Sequence, residues 1–109
     1  MATTFNFKLD PSSLPKLASR GENYTEWRNS WTIAFRYASL LSIVNGKKSR
    51  PATNAEGEVW DSQNDKALVM ILTSVHLDLT LNVASCDTAT EAWKFLAGRF
   101  DRDTGNTSI

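Results

Sequence analysis

Tyr24, Trp27, Trp31, Ala34, Ala38 and Leu41 follow one another at intervals of three and four residues, the spacing that lines up side chains on one face of an α-helix. Nothing else in the chain restricts its fold as much, because a stripe opening with a tyrosine and two tryptophans has to be packed against something. Ile33, Tyr37, Leu40 and Val44 form a second stripe beside it. Only a narrow polar strip around Arg28, Thr32 and Arg36 is left, so a helix is expected from Asn23 to Val44, lying centrally with neighbours on several sides. Asn23 is the expected N-cap, with Glu26 placed to return its carboxylate to the cap amide as in a capping box. Asn45 and Gly46 are expected to end the helix, since both tolerate the left-handed backbone.

The rest of the chain reads as punctuation and further helix. Residues 1–20 hold Pro11 and Pro15, with Phe5, Phe7, Leu9, Leu14 and Leu17 between and around them. Proline removes amide donors and disfavours helix at the preceding residue, which predicts an extended arm lying on the core through its apolar residues. Lys47 to Gly57 reads as a polar loop. Trp60, Ala67, Leu68, Ile71, Leu72 and Val75 regain helical spacing, predicting a second helix from about Glu58 to Ser74. Leu77 to Val83 alternates apolar and polar, a strand signal, but no second strand exists to satisfy its backbone, so a short helix is expected. Thr88-Ala89-Thr90-Glu91 is a capping box in front of the stripe Ala89, Ala92, Trp93, Leu96 and Phe100. These elements predict an all-α chain: a small orthogonal or bundle-like domain of about four helices over 21–100, with an extended arm at 1–20 and a frayed tail at 101–109.

Charge and chemistry narrow the function. Twelve basic residues balance twelve acidic ones, so there is no overall field to attract nucleic acid or an anionic membrane. Met1 to Lys8 lacks the apolar core of a signal peptide, and no apolar run is long enough to span a bilayer, which predicts a cytoplasmic chain. The single cysteine, Cys86, excludes an internal disulfide. His76, Asp78 and Cys86 do not converge on one helical face, so they are read as a boundary histidine and a small buried thiol, with no metal or nucleophilic site. No phosphate-cradling glycine loop or nucleophile elbow is present, and neither enzyme activity nor a cofactor is expected. Lys47, Lys48 and Arg50 form the one basic cluster, read as a solvated loop with at most a weak RNA contact because no aromatic platform accompanies it. Trp27, Trp31, Trp60 and Trp93 all fall on predicted stripes and are read as core. A tryptophan left over once the core is full would be an interface anchor.

The order of these features resembles the amino-terminal part of Gag from copia-type LTR retrotransposons. The resemblance rests on Leu14 to Leu17, the Gly-x-Asn-Tyr-x-x-Trp of Gly21 to Trp27, a second tryptophan at Trp31, Val44-Asn45-Gly46, the tryptophan-led stretch Trp60 to Ser74, and Thr88-Ala89-Thr90-Glu91-Ala92-Trp93 with Leu96 and Phe100 behind it. It implies a capsid-like lobe that assembles with copies of itself, or with related Gag, into a virus-like particle. Tyr24, Trp27, Trp31, Trp60, Trp93 and Phe100 would then be core or interface anchors. One cysteine cannot make the family's Cys-x2-Cys-x4-His-x4-Cys knuckle, so RNA would be held through regions this chain lacks. Two alternatives stand beside this reading. One is a host-kept Gag derivative that co-assembles with related Gag and restricts it, and the other is a small helical RNA-binding module using Lys47, Lys48 and Arg50.

Overall fold

The aromatic stripe folds as expected at its start and stops early. In a computed structural model, which describes residues 13–101, helix α1 covers Tyr24–Tyr37 and buries Tyr24, Trp27, Trp31, Ala34 and Phe35. Asn23 stands at its N-terminus but does not cap it with its side chain. That amide instead accepts from the Ala18 N–H (2.9 Å) and donates to the Lys16 carbonyl (2.9 Å), tying the preceding segment down. The expected capping box is therefore replaced by a staple between arm and helix.

The helix expected to reach Val44 breaks at Ser39, whose φ of 63° is left-handed. The Leu40 N–H donates to the Phe35 carbonyl (2.8 Å) and the Ser39 N–H to that of Arg36 (3.1 Å), the two bonds of a Schellman motif. Leu40 and Phe35, the pair whose apolar contact accompanies that motif, are both buried. Serine at a glycine position hid the break, because an L side chain is strained there. Ser39→Gly is expected to stabilise the fold by about 0.5–1 kcal/mol, read as a higher denaturation midpoint with unchanged slope.

The chain resumes as α2, a single turn at Leu41–Val44. Asn45 caps it and Gly46 follows with φ 83°, the stop expected at that place. Helix α3 covers Asn54–Thr73 and starts a turn before the expected Glu58. The signal was present in Thr53-Asn54-Ala55-Glu56, a capping-box spelling in which the Thr53 hydroxyl donates to the Glu56 carboxylate at 3.1 Å. Helix α4, Leu77–Ala84, is the short helix preferred over a strand. Helix α5, Ala89–Phe100, is capped by the Thr88 hydroxyl, which accepts from the Glu91 N–H at 3.1 Å. Glu91 reaches back one residue further than in the standard box, accepting from the Asp87 N–H at 2.8 Å.

The fold is all-α, with five helices among the described residues, one of them a single turn. Helices α2, α3 and α5 each make close backbone approaches to three others, α3 to α2, α4 and α5, while α1 approaches α2 at the backbone and meets α5 through its aromatic side chains. The buried stripe of α3 contains a polar residue, Asn64, that joins it to α5. The Asn64 side chain accepts from the Ala89 N–H (2.8 Å) and donates to the Asp87 carbonyl (3.3 Å), satisfying groups at the start of α5. Asn64→Ala would orphan a buried amide and is expected to cost about 2 kcal/mol in chemical denaturation.

The described part of the arm packs in cis. Leu17 is fully buried and forms an isolated parallel bridge with Val75, its N–H donating to the Ser74 carbonyl (2.8 Å) and its carbonyl accepting from His76 (2.9 Å). Leu14 packs against the same core. The expected anchors Phe5, Phe7 and Leu9 and the expected frayed residues 102–109 lie outside the described residues.

Candidate assembly surface

The motif aromatics come together inside the domain. Rings follow one another from Phe100 to Tyr24 (6.2 Å between centroids), Trp27 (5.9 Å), Trp93 (5.2 Å), Phe35 (5.6 Å, edge-on) and Trp31 (6.1 Å). This chain of rings joins α1 to α5. Phe35, absent from the predicted stripe, is fully buried between Trp93 and Trp31 and sits four residues beyond Trp31, a spacing that the sequence displayed. Burial, with Asp101 nearby adding to it, pushes the Tyr24 hydroxyl above its ordinary value.

Three indoles also hold non-helical backbone in place. Trp27 donates to the Ser74 carbonyl (2.9 Å), Trp31 to that of Pro15 (2.8 Å) and Trp60 to that of Lys48 (2.8 Å). Each binds one connecting segment to a helix: the α3–α4 turn, the arm and the 45–53 loop. Trp93 and Phe100 are only partly buried and pack on the edge of the core. Of the four tryptophans, Trp93 is the one with surface to share.

The polar candidates are occupied by structure. Arg50 forms a forked ion pair with Asp61 (Nε–Oδ1 2.8 Å, Nη2–Oδ2 3.0 Å). Its guanidinium lies so close over Gly57 that a Cβ there would fall 2.8 Å from Cζ. The hydrogen bond to Arg50 holds the Asp61 carboxyl below its ordinary value. What the pair contributes is therefore present above the unfolded carboxylate pKa and lost as pH falls through the folded one. Both side chains are about half exposed, so solvent screens the pair. Lys47 and Lys48 remain exposed, but the Lys48 carbonyl is committed to Trp60.

His76 is the N-cap of α4, its Nδ1 accepting from the Asp78 N–H at 2.9 Å. Cys86, expected to be buried, is half-buried. Burial first, then Glu91 and Asp87, raises its thiol above the ordinary value, away from nucleophilic reactivity. Among the described residues, no three His, Cys, Asp or Glu side chains are grouped to hold a metal ion, and no helix is long and apolar enough to cross a membrane.

The surface carries apolar side chains instead. Ile33 and Tyr37, expected to be buried, are exposed on α1, as are Val59 and Val69 on α3 and Leu77 and Leu81 on α4. Two shallow grooves lie among them. One of about 390 Å³ is lined by Lys48, Pro51, Ala55, Glu56 and Val59, and one of about 430 Å³ runs beside Lys16, Leu72, His76, Leu77 and Thr80. Side chains of this kind suit contacts with other protein better than they suit bond-making chemistry.

A family model described as the gag-polypeptide of LTR copia-type matches residues 32–108. The match takes in Trp60 and the Thr88-to-Trp93 motif and begins just after Trp31, so the Gly21-to-Trp27 motif lies before it. No curated protein and no solved structure matches the chain.

Proposed function

The chain belongs to the copia-type gag-polypeptide family, and from that premise we propose that it is a structural capsid lobe, without catalytic residues, that assembles with copies of itself or related Gag into cytoplasmic virus-like particles. The family match over most of the chain is the observation that carries this reading. Two features of the molecule support it. His76, Arg50 and Asn64, the side chains best suited to chemistry, are engaged in capping and pairing, while leucine, valine and isoleucine side chains lie in solvent. A formal net charge of zero lets copies approach without mutual repulsion. Shells repeat small contacts many times, so the separate lobe needs only weak self-affinity.

Co-expression with a complete copia-type Gag, followed by sedimentation and electron microscopy, tests the proposal. The chain is expected in the particle fraction, and a chain that stays wholly in the soluble fraction overturns it. Particle yield in the same experiment addresses restriction of related Gag: incorporation with unaltered yield speaks against that role.

A further inference from the structure

We infer that the outer face of α4, centred on Leu77 and Leu81, is a self-complementary contact through which two copies of this chain meet about a two-fold axis. The inference rests on the assembly reading above and names the surface that reading leaves open.

Apolar and polar residues alternate through Leu77-Asp78-Leu79-Thr80-Leu81-Asn82-Val83. A helix turns about 100° per residue, so residues two apart stand about 200° apart, on opposite sides. Alternation wound into a helix therefore gives two apolar faces. The structure shows both: Leu79 and Val83 are buried at 2% and 0%, while Leu77 and Leu81 are 79% and 83% exposed. Helices apolar on two sides are stable between two layers, and among the described residues only the inner face of α4 is covered. Ala84 continues the outer row and is also exposed, small enough to let another backbone come close.

Charge identifies the second layer as another copy. Asp78, with its side chain 70% exposed, flanks the leucines on one side. Thr80 flanks them on the other, where Lys16 shares its groove. A two-fold axis parallel to α4 exchanges these sides, bringing Lys16 of one copy toward Asp78 of the other, so the face is complementary to itself. Two leucines per copy place the contact below the roughly 1,200 Å² of a stable complex, the size suited to a contact repeated in a shell.

Two experiments on the whole chain decide the matter. Sedimentation equilibrium up to about one millimolar, where weak contacts populate a dimer, should show association of the natural sequence and its loss in Leu77→Glu/Leu81→Glu. Thermal melting of the dilute double variant should be unchanged. A lowered melting temperature would instead put another part of the same chain on this face and overturn the self-contact. For the second, Leu81→Cys in a Cys86→Ser background should form a disulfide-linked dimer about tenfold faster than Val59→Cys in the same background, through the higher effective concentration at the axis. Equal rates, equal association of the natural and double-variant chains, or no association of the natural chain at all would each overturn the α4 contact. Entry of the chain into Gag particles is measured separately, so this inference can fail while the assembly reading stands, and the reverse.

Discussion

Trp27→Ala is expected to cost about 3–5 kcal/mol, a large share of the stability of a domain this size. The side chain is fully buried between Tyr24 and Trp93. Removing it empties the middle of the ring chain that joins α1 to α5, and the loss grows with whatever cavity the neighbours fail to close. A second loss is polar. The Ser74 carbonyl accepts from both the Trp27 indole (2.9 Å) and the Leu17 amide (2.8 Å), so one bond of a buried acceptor goes with the ring. Trp27→Phe separates the two losses: it retains most of the volume and gives up the hydrogen bond, for an expected cost of about 1–2 kcal/mol beyond the small change in packing. Trp93→Ala should cost clearly less than Trp27→Ala, because Trp93 is only partly buried at the edge of the core. Denaturant titration of the three variants gives the order, and a Trp27→Ala loss below that of Trp93→Ala would remove Trp27 from the centre of the fold.

The contrast between these tryptophans shows what is legible in the chain and what is not. Periodicity locates α1, α3 and α5, because apolar residues three and four apart share a face when the backbone is helical and scatter to both sides when it is extended. It does not reveal the break at Ser39, where the determining effect is tertiary: Leu40 gains burial on the core when the backbone turns left-handed, and that gain outweighs the local strain. Asn64 carries no signal of its own, since a polar residue on a buried stripe acquires meaning only once its partners at Asp87 and Ala89, far away in the chain, are known. Asn23 has the spelling of a cap and serves as a staple for the same reason.

The surface is the least legible part. Ile33 and Tyr37 continue the apolar arc of α1, which predicts burial, yet both are exposed. Periodicity records where apolar side chains lie but not which neighbour covers them, and in an assembling protein the neighbour can be another molecule. The same holds for α4, where the strand-like alternation misleads about secondary structure and is informative about the outer face. The capping box at Thr88 is local and can be read directly; contact surfaces are not local and cannot.

Gly21→Ala should be the costliest change outside the tryptophans, at about 2–4 kcal/mol, through two separable causes. The backbone at Gly21 is left-handed, with φ 73°. An alanine there carries a penalty of about 1–2 kcal/mol whatever surrounds it. The surroundings add more, because an added Cβ would clash with the Phe100 ring, overlapping Cδ1 and falling 2.5 Å from Cγ. The ring cannot yield freely: it also packs near Tyr24 at 6.2 Å, with the Arg99 guanidinium 5.5 Å from its centroid. Glycine in the Gly-x-Asn-Tyr-x-x-Trp motif is thus the place where the end of α5 closes over the start of α1. A double-mutant cycle with Phe100→Ala distinguishes the causes. In that background Gly21→Ala should lose only the backbone penalty, leaving a coupling of about 1–2 kcal/mol between the two sites. An equal cost in both backgrounds would assign the requirement for glycine to the dihedral angle alone and release Phe100 from any part in it.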